Sequence, residues 1–593
     1  MVLALALAAC APDAEAIRTP SVEAELFPPR EPVLLAAAGA RHLPADTPVV
    51  VMVAAPALWI GAANLREETE PYDRGIEALA RWATGLSLPE AKQIAAAGLD
   101  ANGPWGMAWL DDASVVFGRV TDSRKLRVAL RQAGLSPGAN KIPRRCEDGA
   151  TLHVVVRSEL AYFVHSSDCD GAVAGRIADT SAEGGLAAKP AFHKHLERLS
   201  FGAHLSAYVQ PSAWKLWTKG TVFDQLADEY RGRAELTKAI RRALDARSRA
   251  VQRVAKAIDG IALGVEIDDA SLRIKAFIAG GDELITARSG RFPRIEDARF
   301  LFEGAIDPGL FRELFALLGH EPTDAELQLS EVGLSVEKDI LPRLDGRIRM
   351  RSRPSSLVLR LGLRDATEAR AFLRSWVERR RAKPPRSTRA LTVSVDERVL
   401  RLRNPDLWLS IEGDELVAVR RDESLAVTEY RALPNPMPLA RIDSPDAVLL
   451  VDAHLAADIL ERVENPFPSP VLRFGHSRFF TADQFFTSGD RFSGPRPDKH
   501  GELIRQGFGL ASRQRIERDT GRERLLTALG KSVLAARIVE GGVMLHGVQR
   551  LEEDDLSTLT EHILWAFADA AGTSDTGRQL AQLKRDILAL EQH

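Results

Sequence analysis

The chain is short of cysteine, with three in 593 residues, at positions 10, 146 and 169. So few exclude a disulfide-built scaffold, and the two internal ones lack the neighbouring Cys or His partners that a zinc site requires. An excess of charge of one sign is also missing: 79 Lys and Arg stand against 82 Asp and Glu, for a formal net charge of -3. That balance argues against a whole-surface footprint for nucleic acid, and no nucleic-acid partner is expected. Long hydrophobic runs are absent too. No stretch beyond the N-terminus approaches the roughly 20 consecutive apolar residues of a spanning helix. What is present is ordinary globular composition, 45% hydrophobic and 27% charged, with length for about three or four domain-sized units.

The N-terminus carries an address. Residues 1–9 are apolar and end in Leu7-Ala8-Ala9, followed by Cys10 and then the polar stretch Ala11-Pro12-Asp13-Ala14-Glu15. Leu7-Ala8-Ala9-Cys10 resembles the lipobox of bacterial lipoproteins. The resemblance implies cleavage before Cys10 and a diacylglycerol on its thiol. Acyl chains in that number hold a protein on a membrane without spanning it. The run lacks a Lys/Arg n-region and is short for a secretory signal, which points to a start codon upstream. Residues 10–42, rich in Ala, Pro and Glu without periodicity, read as a flexible tether. The expected location is the bacterial cell envelope, with the membrane as partner through the N-terminal lipid.

An oxidising compartment gives the remaining cysteines a reading as a pair. Residues 151–156 and 160–165 read as two strands of a hairpin. A turn centred between Arg157 and Ser158 would set Cys146 opposite Cys169 at its open end. A disulfide there is worth about 3 kcal/mol in the chain-entropy model; the other reading is two separately buried thiols.

The chain also reads as one domain written twice. Val49–Val53 leads into Pro56-Ala57-Leu58-Trp59 as Arg299–Glu303 leads into Asp307-Pro308-Gly309-Leu310-Phe311. Gly98-Leu99-Asp100 matches Gly333-Leu334-Ser335. A strand ending at Asp122 and one ending at Asp365 each precede a helix, and both aspartates suit its N-cap. Glu159-Leu160-Ala161 matches Glu415-Leu416-Val417, and Ala207-Tyr208-Val209-Gln210 matches Leu449-Leu450-Val451-Asp452. The final hairpins, 261–267 with 272–278 and 533–538 with 543–548, match last. Successive offsets of 235, 243, 256, 242 and 271 imply a common order of elements with insertions between them. The expected fold is α+β: two tandem copies, residues 43–290 and 291–556, each with a mainly antiparallel or mixed sheet covered by helices, and C-terminal helices over 557–593. Residues 223–258 read as a long amphipathic helix.

Leu43-Pro44-Ala45-Asp46-Thr47-Pro48 and the segment Gly333–Gly346 resemble phrases of a family of exported bacterial proteins with duplicated α+β domains. The resemblance covers some 20 residues and implies fold and address; no activity is established for that family.

For chemistry, the sequence holds no Gly-x-Ser-x-Gly, His-Glu-x-x-His, phosphate-binding Gly-x-x-x-x-Gly-Lys or Gly-x-Gly-x-x-Gly phrase. No catalytic residue, metal ligand or cofactor is assigned. His193 and His195 would share a side if they lay on a strand; the other reading is a basic helix start. Ser167-Asp168-Cys169-Asp170-Gly171 reads as a polar turn. Arg374, Arg379, Arg380, Arg381, Lys383, Arg386 and Arg389 form a basic run, read either as a solvated helix end or as a contact for anionic headgroups. The second copy holds about 29 extra residues, within 464–500, and seven of the chain's 22 phenylalanines fall between Phe467 and Phe492. Phe474, Phe479, Phe480, Phe485 and Phe486 are the candidate binding residues of that insertion, as a lid on an apolar pocket or an anchor for a partner; the other reading is a loop filling a domain interface. The functional expectation is a membrane-anchored envelope lipoprotein, a non-enzymatic binding or scaffold protein whose partner is an envelope protein or an apolar ligand. The alternatives are a cell-surface hydrolase with a dispersed catalytic set, a carrier of an apolar ligand or lipid, and a structural spacer.

Overall fold

The computed structural model describes residues 37–53, 83–86, 91–100, 102–110, 113–137, 142–147, 150–166, 171–199, 205–213, 256–268, 271–280, 300–305, 335–353, 356–382, 395–396, 399–402, 407–421, 446–452, 531–550 and parts of 502–513 and 579–586. Cys10, residues 11–36 of the expected tether, Cys169, most of the 223–258 helix, the 464–500 insertion with its phenylalanines, and most of 557–593 lie outside these residues; residues 37–42 of the expected tether are described, and Ala37 and Ala40 are buried in the first core.

The architecture is α+β, and every strand pairing is antiparallel. The first ten strands are β1 (Val49–Val53), β2 (Trp105–Leu110), β3 (Ala113–Arg119), β4 (Ser136–Pro137), β5 (Pro143–Glu147), β6 (Ala150–Arg157), β7 (Leu160–Ser166), β8 (Leu205–Val209), β9 (Gly260–Asp268) and β10 (Ser271–Ala279). Their order across the sheet is β4-β5-β6-β7-β3-β2-β1-β8-β9-β10. Ten more follow: β11 (Phe300–Ala305), β12 (Leu344–Arg353), β13 (Ser356–Leu363), β14 (Val395–Asp396), β15 (Val399–Leu402), β16 (Leu407–Glu412), β17 (Glu415–Arg421), β18 (Ala447–Asp452), β19 (Lys531–Val539) and β20 (Gly542–Arg550). They lie in the order β14-β15-β16-β17-β13-β12-β11-β18-β19-β20. Each pairing among the first ten thus recurs with both strand numbers raised by ten. β10 pairs with β20 along its whole length and joins the two sets into one 20-stranded sheet.

Described helices are α1 (Ala91–Ala96), α2 (Ser123–Gln132), α3 (Ala172–Asp179), α4 (Pro190–Glu197) and α5 (Ala366–Ala382). The N-caps of α2 and α5 are the expected aspartates. Asp122 Oδ1 accepts from the Arg124 and Lys125 amides at 2.8 and 3.1 Å, and Asp365 Oδ1 from those of Thr367 and Glu368 at 2.8 and 3.0 Å. Each satisfies donors that a helix start leaves open.

On one face of the first set, Val50, Met52, Val115, Phe117, Tyr162 and Tyr208 are buried beneath Leu43, Ile177, Phe192 and Leu196. The Leu-Pro-Ala-Asp phrase is a clasp on this core. Leu43 is fully buried and its carbonyl accepts from the Leu186 amide at 2.8 Å. Pro44 bridges Gly185, Asp46 takes a two-pronged bond from Arg176 at 2.7 and 2.9 Å, and Gln210 Nε2 donates to the Ala45 and Thr47 carbonyls. Tyr162 closes the clasp: its hydroxyl donates to the Gly39 carbonyl at 3.0 Å and accepts from the His42 amide at 3.4 Å. Burial pushes this phenol above its ordinary pKa. Tyr162→Phe strands two buried backbone groups, so a stability loss of about 2 kcal/mol is expected; a urea midpoint equal to the native one would refute the role.

The Gly333–Gly346 phrase has an equally local use where it is described. Ser335 N donates to Asp339 Oδ2 at 2.8 Å, and Arg343 Nη1 donates to the Asp339 carbonyl at 2.7 Å. The Arg343 guanidinium also lies 4.0 Å over the Phe372 ring of α5. This turn delivers buried Leu344 to the start of β12.

One expectation is corrected, the placement of the hairpin turn on which the cysteine pairing rests. In the β6–β7 hairpin Arg157 faces Leu160, so the turn is Ser158-Glu159, one residue later than the cysteine argument required. Ser158 takes φ 52°, the left-handed region, where the β16–β17 turn has Gly413 at φ 61°. Cys146, moreover, does not continue β6. β5 pairs antiparallel with β6, so Cys146 lies on β5 opposite Thr151, with β6 between it and β7. The disulfide therefore loses its cross-strand argument and keeps only that of compartment. His193 and His195 lie on helix α4, as the helix reading of that phrase has it. Two residues apart on a helix they diverge.

Candidate functional site

Because cross-strand partners share a face, the registers trace one row of side chains across the sheet. From the first set it runs Tyr162, Phe117, Gly106, Met52, Ser206, Gly264, Lys275. It continues through His546, Ala535, Val448, Glu303, Arg349, Arg360 and Val417. The first half of the row is apolar as far as Met52, and its one strand glycine there is filled by an aromatic: a Cβ on Gly106 would lie 2.3 Å from Phe117 Cζ. The second half carries ions.

Glu303 is fully buried, and Arg349 Nη2 donates to its Oε1 at 3.1 Å. Arg349 faces Arg360 directly on the neighbouring strand. Like charges so placed repel, and acidic side chains offset them. Arg360 bonds Glu415 and Glu412 at 3.1 and 3.0 Å, while Arg347 bridges Asp345 and Asp414, both at 2.7 Å. The Arg347 guanidinium holds the Asp414 carboxyl below the usual carboxylate range. Glu303 is fully buried, whereas Arg349, Arg360, Arg347 and their other acidic partners keep part of their side chains exposed; a buried carboxylate held by an arginine is a candidate for function and not for stability alone. The sequence signal for it was Arg347-Ile348-Arg349-Met350-Arg351-Ser352-Arg353, arginine at every second position of a strand, which the search for catalytic phrases passed over.

At the centre of the row, Lys275 and His546 face each other across the β10–β20 seam. Lys275 is half-buried. Burial draws its ammonium below the ordinary lysine range, and Glu266 partly opposes the shift. A second polar feature lies at the edge of the helix layer. His195 is buried on α4, its ring 5.9 Å from Tyr208 and 5.6 Å from Phe277. Burial, then Lys194 and Arg198, depress its pKa, against a smaller pull from Asp259. His193 instead faces outward and bonds the Ala187 carbonyl.

Of the residues picked from sequence, Cys146 lies on β5, Arg374 is exposed on α5, and Arg379, Arg380 and Arg381 continue that helix. Cys10, Cys169, Phe474, Phe479, Phe480, Phe485 and Phe486 fall outside the described residues. Among the described residues no three His, Cys, Asp or Glu side chains converge as a metal site, and no helix is long and apolar enough to cross a membrane.

No protein-family model matches the chain. No curated protein matches it either. Among solved structures, two crystal forms of TP0453 align. Crystal form III is 8% identical with a TM-score of 0.23, covering 43% of this chain and 82% of the other. Crystal form I is 9% identical with a TM-score of 0.23, covering 42% and 80%. A likeness this slight carries no argument about fold or role.

Proposed function

We propose that the chain is a lipid-anchored, non-enzymatic binding or scaffold protein of a bacterial envelope, built from two copies of one antiparallel α+β unit. The observation that carries the reading is the recurrence of one strand-pairing order with a change of character on one face. In the first copy that face is apolar and covered by Leu43, α3 and α4; in the second it bears the Glu303, Arg349 and Arg360 row. Duplication frees one copy to keep the packed core while the other presents polar side chains to a partner. The copies are residues 43–290 and 291–556, preceded by a tether from residue 10 whose last residues, 37–42, pack on the first copy, and followed by 557–593 as C-terminal helices. The phenylalanine-rich insertion falls in the connection between β18 and β19, residues 453–530, where the first copy has 210–259. It is the second contact surface of this reading, for an envelope protein or an apolar ligand.

The anchor is tested by labelling with radioactive palmitate. Label on the native chain and none on Cys10→Ser supports the address, and equal label in both overturns it. Replacing Phe479, Phe480, Phe485 and Phe486 with Ser should leave the unfolding midpoint unchanged while removing the chain's partner from pull-downs of solubilised membranes. A collapsed midpoint would make the insertion part of a core.

A further inference from the structure

We infer that the seam of the sheet is built to take unlike strands, so that β10 accepts β20 and rejects another β10, whether from a second copy of the chain or in a slipped assembly. The inference rests on the duplication reading. β10 and β20 are nine residues each and pair end to end. Their fifth residues, Lys275 and His546, therefore face each other at the centre of a locally two-fold pairing. Each strand pairs antiparallel with the strand just before it in the chain, β10 with β9 and β20 with β19. Such a pairing invites self-association, because two β10 strands have the length and the apolar content to meet in the same register.

Two features oppose it. On the axis a β10 pair would set Lys275 against Lys275, two ammonium groups directly opposed and half-buried, where the chain has Lys275 against an imidazole. At the end of the seam, Gly542 lies opposite Ala279, and a Cβ there would stand 2.1 Å from the Ile278 carbonyl oxygen. β10 carries Ser271 at that position, so a second β10 would drive a side chain into backbone. A third position agrees: Gly547 faces Ile274 with only 3.2 Å for a Cβ, where β10 has Ala276. Charge and shape thus select the same partner, which is how related strands are kept from pairing wrongly.

The experiment gives β20 the β10 residues one at a time in the full chain and reads amide hydrogen exchange along both strands. His546→Lys should speed exchange at the seam about fivefold, and Gly542→Ser about tenfold. The exchanged pair Lys275→His with His546→Lys restores an unlike pair on the axis and should return close to the native rate. Seam exchange unmoved by either single change, or a double variant no slower than His546→Lys, overturns the selection while leaving the duplication intact. Seam amides that are unprotected in the native chain overturn both.

Discussion

Replacing Arg349 with methionine should cost about 3 kcal/mol of stability, the range seen when one partner of a buried ion pair is removed. The carboxylate of Glu303 is fully buried, so losing its arginine leaves a charge in a medium that solvates it poorly. The size of the loss is not the worth of the salt bridge. It is mostly the penalty on the group left behind, and a second substitution separates the two. The corresponding place in the first set is held by Met52 against Gly106, with no charge at all. Adding Glu303→Met to Arg349→Met should therefore recover most of the loss, because two apolar groups replace two ions of similar volume. Urea unfolding of the native chain and the two variants checks this. A double variant as unstable as Arg349→Met would mean that the pair is required for folding and not kept for function. Recovery of stability with loss of partner binding is the result the proposed function requires.

Acidification should destabilise the chain between about pH 6.5 and 4, with His165 among the groups responsible. Its Nε2 lies 2.9 Å from the Ala83 carbonyl, and burial drives its pKa down to about 4, with the Ala83 bond opposing the shift and Arg145 adding to it. In the unfolded chain the imidazole titrates near 6.5. Between these values the unfolded state binds the extra proton, so stability rises with pH. The contribution is complete above about 6.5, falls as the pH drops toward 4, and levels off below that. Over that span it amounts to about 3 kcal/mol. His195, depressed in the same direction, adds to the slope. His165→Gln keeps an N–H that can reach Ala83 and removes the titration. Its stability should vary less with pH over this window, and a curve parallel to the native one would assign the acid sensitivity elsewhere.

Much of the fold was legible because it is written in short-range patterns. Strand alternation, the acidic helix starts at Asp122 and Asp365, and the order of elements all follow from neighbours in sequence. The hairpin turn was missed by one residue because Arg157-Ser158 and Ser158-Glu159 are equally poor turn sequences; the left-handed Ser158 is held by pairing on both sides. Cys146 was placed on the wrong strand for a separate reason: β5 pairs antiparallel with β6, so Cys146 lies opposite Thr151 and not in line with β6. The Leu-Pro-Ala-Asp phrase was visible as a resemblance, but its work as a clasp depends on Gly185, Arg176 and Gln210, each more than a hundred residues away.

By itself, then, the sequence determined the class of fold, the hairpins and the acidic helix starts at Asp122 and Asp365, since each depends on composition or on periods of two to four residues. Only the tertiary structure decided which residues share a face. Glu303 meets Arg349, and Lys275 meets His546, because antiparallel registers bring distant strands edge to edge. Register is set by how whole strands stack, and no local pattern states it.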